Sequence, residues 1–93
     1  MTTTEKTKEI IAAIKDIKNT VYKKDTDFEL WRDTHLVLQR IPRKYKEFIW
    51  DYYVLELTHK DIVDLYEWTY RKSLFFNQEW QRYVKVACKE MFT

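Results

Sequence analysis

His35, His59, Cys88 and the pair Asp61 and Asp64 are the side chains in this 93-residue chain whose types suit catalysis or metal binding. A hydrolytic zinc site wants two histidines one helical turn apart, as in HExxH, and a zinc knuckle wants several cysteines. Here the histidines stand far apart and cysteine occurs once, so no metal or other cofactor is expected. Asp61 and Asp64, three apart on one helix, resemble an acid–base pair, but helix capping and solvation account for them better. Cys88 falls beside an apolar stripe, where a small buried thiol is commoner than a nucleophile. Glycine is absent altogether, which disfavours loops that cradle phosphate. The expectation is a non-enzyme without a small-molecule substrate, whose chemistry is docking.

Charge and aromatic surface are what a docking protein has to offer. Seventeen basic against fifteen acidic side chains leave a net charge of +2, too balanced to announce a nucleic-acid binder. Distribution says more. After Trp68, Arg71, Lys72, Arg82, Lys85 and Lys89 face only Glu79 and Glu90, and a second basic group, Arg40, Arg43, Lys44 and Lys46, surrounds Pro42. Arg43, Lys44, Lys60, Arg71, Lys72, Ser73, Gln78 and Arg82 are the candidate DNA contacts. The reading beside it is that these groups are a wet helix face, or that Arg40, Arg43 and Lys44 complement a helix C-terminus. Sixteen residues are aromatic, and twelve of them lie in residues 45–83. That band is core, interface or both, with Trp50, Tyr53, Trp68 and Phe75 the candidate protein-contact residues.

The elements that must position these side chains are helices. With no glycine and a single proline, tight hairpins are disfavoured, and an all-α bundle of about five helices in one domain is predicted. Its residues 1–41 should form a helical pair and residues 42–93 a helix-turn-helix-like part with a long last helix. Thr2 with Glu5, or Thr4, caps a first helix striped by Ile10, Ile14, Ile17 and Val21 and running to about Lys24. Asp25, Thr26 and Asp27 interrupt it. Phe28, Trp31, Val37, Leu38 and Ile41 then mark a second helix that Pro42 stops.

The helix over residues 42–55 is apolar on two sides, one of Tyr45, Phe48, Ile49 and Tyr52, the other of Trp50, Tyr53, Val54 and Leu57. Hiding both needs helices on two flanks or a second molecule, so a homodimer stays open. Thr58 with Asp61 starts a short helix that should bury Ile62, Leu65 and Tyr66. A break near Glu67 and Trp68 precedes Thr69, the cap of a last helix striped by Phe76, Trp80, Tyr83, Ala87 and Met91. No apolar run approaches the roughly 18 residues of a membrane span, no secretory leader precedes the first helix, and the lone cysteine suits a reducing compartment, so a cytoplasmic protein without membrane contact is expected.

LTHKDIVDLYEWT resembles the first helix and turn of a sigma-factor region 4 helix-turn-helix, and IPRKYKEFIWDYY is similar to the helix such domains place upstream. More narrowly, RKYKEFIWDYY followed by KDIVDL resembles the RinA and ArpU-type activators of phage late transcription. The resemblance spans residues 41–83 and implies a small phage or mobile-element regulator touching double-stranded DNA, RNA polymerase or another regulator. Its third helix would enter the major groove, with Arg71, Lys72 and Ser73 near phosphates or guanines and Asn77, Gln78 and Arg82 reading bases. Glu67 stands where the family's turn usually has glycine, and Leu74, Phe75 and Phe76 are bulky for a reader helix. The alternative is an inhibitor or decoy that has given up DNA and blocks a regulator, polymerase or host defence complex through an aromatic face.

Overall fold

The computed structural model describes residues 2–20 and 27–92, and all the regular structure among them is helical. Helix α1, Thr3–Lys15, begins where Thr2 Oγ1 accepts the N–H of Glu5 at 3.2 Å. It buries Ile10 and Ile14 with Thr7 and Ala13. The single helix expected here instead breaks at Asp16 and restarts as α2, Ile17–Thr20. Side chains fill the break: Thr20 Oγ1 donates to the carbonyl of Ala13 at 2.6 Å, and Asn19 Nδ2 to Asp16 Oδ1 at 2.7 Å. The predicted continuation through Val21 to Lys24 lies outside the described residues.

Helix α3, Phe28–Arg40, starts at Asp27, whose carboxylate accepts the Glu29 N–H at 2.8 Å. It ends as Pro42 dictates, with Ile41 driven to an extended ψ of 139°. Its inner face differs from the expected stripe. Phe28 and Trp31 are exposed and stacked on each other at 5.9 Å, while Asp33, Thr34 and Val37 point inward. Lys6 on α1 reaches across to Asp33 Oδ2 at 2.7 Å, so these two helices are joined by a buried carboxylate as well as by apolar contact.

Helix α4, Arg43–Ile49, buries Tyr45, Phe48 and Ile49 and then widens into a π-helical turn, Trp50–Val54, where the Leu55 N–H reaches the Trp50 carbonyl at 3.0 Å. A π turn inserts one residue into the helical repeat and so rotates the side chains around it. Trp50 is turned outward, 47 % exposed, whereas Asp51 is buried and accepts the hydroxyl proton of Tyr66. Of the second apolar stripe, Tyr53, Val54 and Leu57 are half-buried against the core, covered from within the chain.

Helix α5, His59–Tyr66, has the full capping box: Thr58 Oγ1 accepts from the Asp61 N–H at 3.1 Å, and Asp61 Oδ2 from the Thr58 N–H at 3.0 Å. Hydrogen bonding of the carboxylate by the Thr58 N–H, and next by the Thr58 side chain, holds the Asp61 carboxyl below the usual carboxylate range, which fits a cap better than an acid. Of the three residues expected to be buried, only Ile62 is; Leu65 and Tyr66 are exposed. Glu67 then adopts the left-handed conformation, φ 57° and ψ 38°, in place of the usual glycine. Thr69 caps α6, Tyr70–Met91, accepting the Lys72 N–H at 3.2 Å.

At 22 residues α6 is roughly 33 Å long, the central rod against which α1, α3, α4 and α5 all pack. Phe76, Trp80, Val84, Ala87 and Cys88 supply its buried face, with Tyr83 and Met91 at the margin. One continuous apolar core thus runs from Ile10 and Ile14 through Val37 and Phe48 to Trp80 and Val84, joining the N-terminal helices to the rest. No helix among the described residues is long and apolar enough to cross a membrane.

Candidate docking face

An unbroken row of rings links α4, α5 and α6. Tyr66 stacks on Trp68 at 5.1 Å, Trp68 meets Phe76 at 4.5 Å, Phe76 meets Tyr45 at 4.8 Å, and Tyr45 meets Tyr83 at 4.9 Å. Three cations sit along the row. Lys72 Nζ lies 4.8 Å from the Trp68 centroid, Lys44 Nζ 5.3 Å from that of Tyr45, and the Arg82 guanidinium 4.9 Å from that of Tyr83. Lys44 and Lys72 also lie 6.0 and 5.9 Å from Phe76, so two chain-distant lysines bracket one ring. Ring quadrupoles attract such cations, at about 0.5–1 kcal/mol each when exposed.

Other carboxylates hold part of the predicted basic set. Arg82 is bridged to Glu79, and Arg43 Nε to Glu47 at 3.1 Å. Arg71, Lys60 and Gln78 are exposed, Lys60 on α5 beside a shallow hollow lined also by Tyr52, His59 and Tyr70. Ser73 does not belong to the surface at all. It is fully buried, its Oγ 2.6 Å from His59 Nδ1, and it cannot reach a phosphate. The signal was present in its position three residues before Phe76, which extends the buried stripe backwards by one turn. Asn77 is likewise committed, its Oδ1 accepting from Tyr53 Oη at 2.8 Å and Trp80 Nε1 at 3.2 Å.

The expected protein-contact residues divide the same way. Tyr53 packs edge-on against Trp80 at 5.7 Å, and Trp68 is half-buried within the ring row. Phe75 is 51 % exposed, and on the same first two turns of α6 Tyr70 is 55 % and Leu74 41 % exposed. Leu74 and Tyr70 were not among the predicted contact residues. Helical spacing reveals them: Tyr70, Leu74 and Gln78 recur every four residues along the flank of the buried face.

The outward surface of α6 therefore begins apolar and becomes basic. Arg71, Gln78, Arg82, Lys85 and Lys89 recur along one side at seven, four, three and four, all exposed, with Phe75 between the first two. Such a face offers large flat anchors and cationic rims, without a converging set of reactive groups. Cys88 is buried, and burial pushes its thiol up, away from the reactive thiolate. Among the described residues no group of three His, Cys, Asp or Glu side chains could hold a metal ion.

His59 ties α5 to α6 beneath this face. Its ring lies against Tyr52 at 4.8 Å, Tyr70 at 5.7 Å and Phe48 at 6.3 Å, and burial pushes its pKa below the usual 6.5. Because the folded state prefers the neutral ring, this contribution is complete above pH 6.5. It is lost as pH falls through the lowered folded value. Urea midpoints should accordingly drop between pH 7.5 and pH 5, and His59→Gln should flatten that segment of the profile.

No family model matches the chain, and no curated protein or solved structure matches it.

Proposed function

We propose that the chain is a small non-catalytic regulator that docks the outward face of α6 onto a protein partner. The carrying observation is the exposure of Tyr70, Leu74 and Phe75 on the first two turns of that helix. In a groove-reading helix those turns carry the polar side chains that pair with base edges, and large apolar groups there read little beyond a thymine methyl. The same groups suit a protein interface, where a few aromatic and arginine anchors dominate the energy. Arg71 and Arg82 flank the anchors, so the partner's groove should be apolar with an acidic rim. The resemblance of residues 41–83 to a sigma-factor region 4 helix-turn-helix makes the transcription machinery the partner class to test first, with inhibition of a regulator or defence complex the same docking on another target.

Binding to purified RNA polymerase, followed by biolayer interferometry, is the direct test. Leu74→Ala with Phe75→Ala should weaken it by about 30- to 1,000-fold, the loss of two anchors at about 1–2 kcal/mol or more each. The helix content should be unchanged, since both side chains lie outside the core. A second reading, direct contact with duplex DNA, is favoured by the alignment of Lys44, Lys72 and Arg82 along one ring row. Phosphate-led binding would fall steeply with salt and vanish on charge reversal of Lys44, Arg71 and Lys72. That result, together with polymerase affinity untouched by the Leu74/Phe75 variant, would replace the protein-docking reading.

A further inference from the structure

A shallow hollow of about 470 Å³ opens where the π turn, the first turn of α5 and the first turn of α6 meet. Its walls are rings. Tyr52 comes from the π turn, His59 from α5 and Tyr70 from α6, with His59 lying 4.8 Å from Tyr52 and, edge-on, 5.7 Å from Tyr70. Two of the three are held from behind. Tyr52 stacks on Phe48 at 5.6 Å and meets Tyr53 edge-on at 4.8 Å, and His59 Nδ1 is 2.6 Å from the buried Ser73 Oγ. An aromatic platform already fixed in this way loses little freedom when another ring lies on it. Charge sets the second property of the hollow. Glu56 and Lys60 both line it, but Glu56 is drawn to Lys18 on α2 at 3.3 Å, and the neighbouring Asp61 accepts the Thr58 N–H at 3.0 Å. Lys60, exposed beyond that cap, gives the rim its sign, and Arg71 lies exposed next to Tyr70.

We propose that this hollow receives an aromatic side chain carried in an acidic segment of the protein partner. The inference rests on the docking reading and deepens it: Tyr70 belongs both to the exposed start of α6 and to the wall of the hollow, so the two surfaces are continuous. Depth decides against a free small molecule. A pocket for one encloses most of its ligand, whereas a shallow notch covers a single face and suits a side chain whose neighbours are bound elsewhere. Ring chemistry decides the type of side chain. Aromatic pairs gain from offset or edge-on contact beyond burial, and tryptophan or tyrosine also brings a polar edge to the rim. His59 retains a second ring nitrogen for that edge, since Nδ1 is taken by Ser73. An acid beside the ring in the partner's sequence meets Lys60 or Arg71, where a lysine or arginine would be repelled. Nucleobases stack on rings as well, but strand readers follow the backbone with a run of cations, and the rim here sets Glu56 against Lys60.

Fluorescence anisotropy on the full chain tests this with a labelled 12-residue peptide of aspartate and glutamate around a central tryptophan. The peptide should bind, and its tryptophan-to-alanine version should bind about tenfold or more weakly. Lys60→Glu and Tyr70→Ala should each weaken the parent peptide by about three- to tenfold. Far-ultraviolet circular dichroism should be unchanged, because both side chains are exposed. The His59 ring protons should shift in the NMR spectrum as the indole settles over them. No binding at millimolar peptide would overturn the hollow, as would affinity indifferent to both substitutions. A peptide with lysines in place of the acids binding as tightly would overturn the acidic segment, and a single-stranded 12-mer oligonucleotide binding far more tightly would assign the rings to nucleobases. Polymerase binding that needs Leu74 and Phe75 yet ignores Lys60→Glu and competing peptide would remove the hollow and leave the docking reading in place. Peptide binding that Lys60→Glu weakens, with no polymerase bound, would keep the hollow and remove polymerase as the partner.

Discussion

Trp80→Ala should leave the protein largely unfolded at 37 °C, with a melting temperature lowered by about 12–40 °C for a loss of about 3–5 kcal/mol. Trp80 is fully buried on the central rod, edge-on to Tyr53, and its indole N–H donates to Asn77 Oδ1 at 3.2 Å. Removing the ring opens a cavity where α4 and α6 meet, and the Asn77 carbonyl loses one of its two donors. A domain of this size commands about 5–14 kcal/mol in total, so a loss of that order consumes much of the margin. Trp80→Phe keeps most of the packing while removing the indole N–H, and should fall between the two. Thermal denaturation followed by circular dichroism measures all three, and an alanine variant melting within a few degrees of the parent would refute the central place given to this side chain.

Lys6→Met should cost about 3–5 kcal/mol, the usual penalty for leaving a buried carboxylate short of its counter-ion. The Asp33 side chain is 2 % exposed, and Lys6 Nζ approaches it at 2.7 Å while lying 4.2 Å from the Phe92 ring centroid. One ammonium group therefore joins α1 to α3 and to the end of α6. Arg32, half exposed and 3.3 Å from Asp33 Oδ1, softens the loss towards the lower figure. The hydrogen bond to Asp33 raises the Lys6 pKa above 10.5, with Glu29 adding attraction and burial opposing it. Its contribution is complete below pH 10.5 and disappears as pH rises through the higher folded value. The methionine variant should lack that alkaline decline. Asp33→Leu on the same background should recover part of the loss, because a matched apolar pair avoids the stranded charge. Urea unfolding of the four members of this cycle checks both statements.

The sequence showed the helix ends better than the helix faces. Thr2, Asp27, Thr58 and Thr69 cap as their spacing implies, and Pro42 ends α3, because these signals act within four residues and need no tertiary partner. Asp33 was missed for the opposite reason: a carboxylate turned inward is visible only once Lys6 from another helix is beside it. The π turn escaped notice because neither glycine nor proline marks it; the packing of Tyr52, Tyr53 and Asp51 does. Of the site, the exposure of Trp50 and Phe75 was legible from their places off the main stripe. The withdrawal of Tyr53 and Asn77 was not, since they are tied to each other across 24 residues, whereas that of Ser73 could be read from its place one turn before Phe76. Phe28 shows the converse, an apolar residue on the right period that is left 69 % exposed.

Glu56 and Glu67 both hold φ near +58°, a region that disfavours any side chain with a Cβ. Neither glutamate prefers that shape, so both bends must be held by the helices on either side. The corners of this protein are consequences of its docked rods, and they give little local guidance to a chain that has yet to collapse. Assembly should be correspondingly all-or-none: an isolated α5–α6 fragment has no autonomous reason to bend at Glu67.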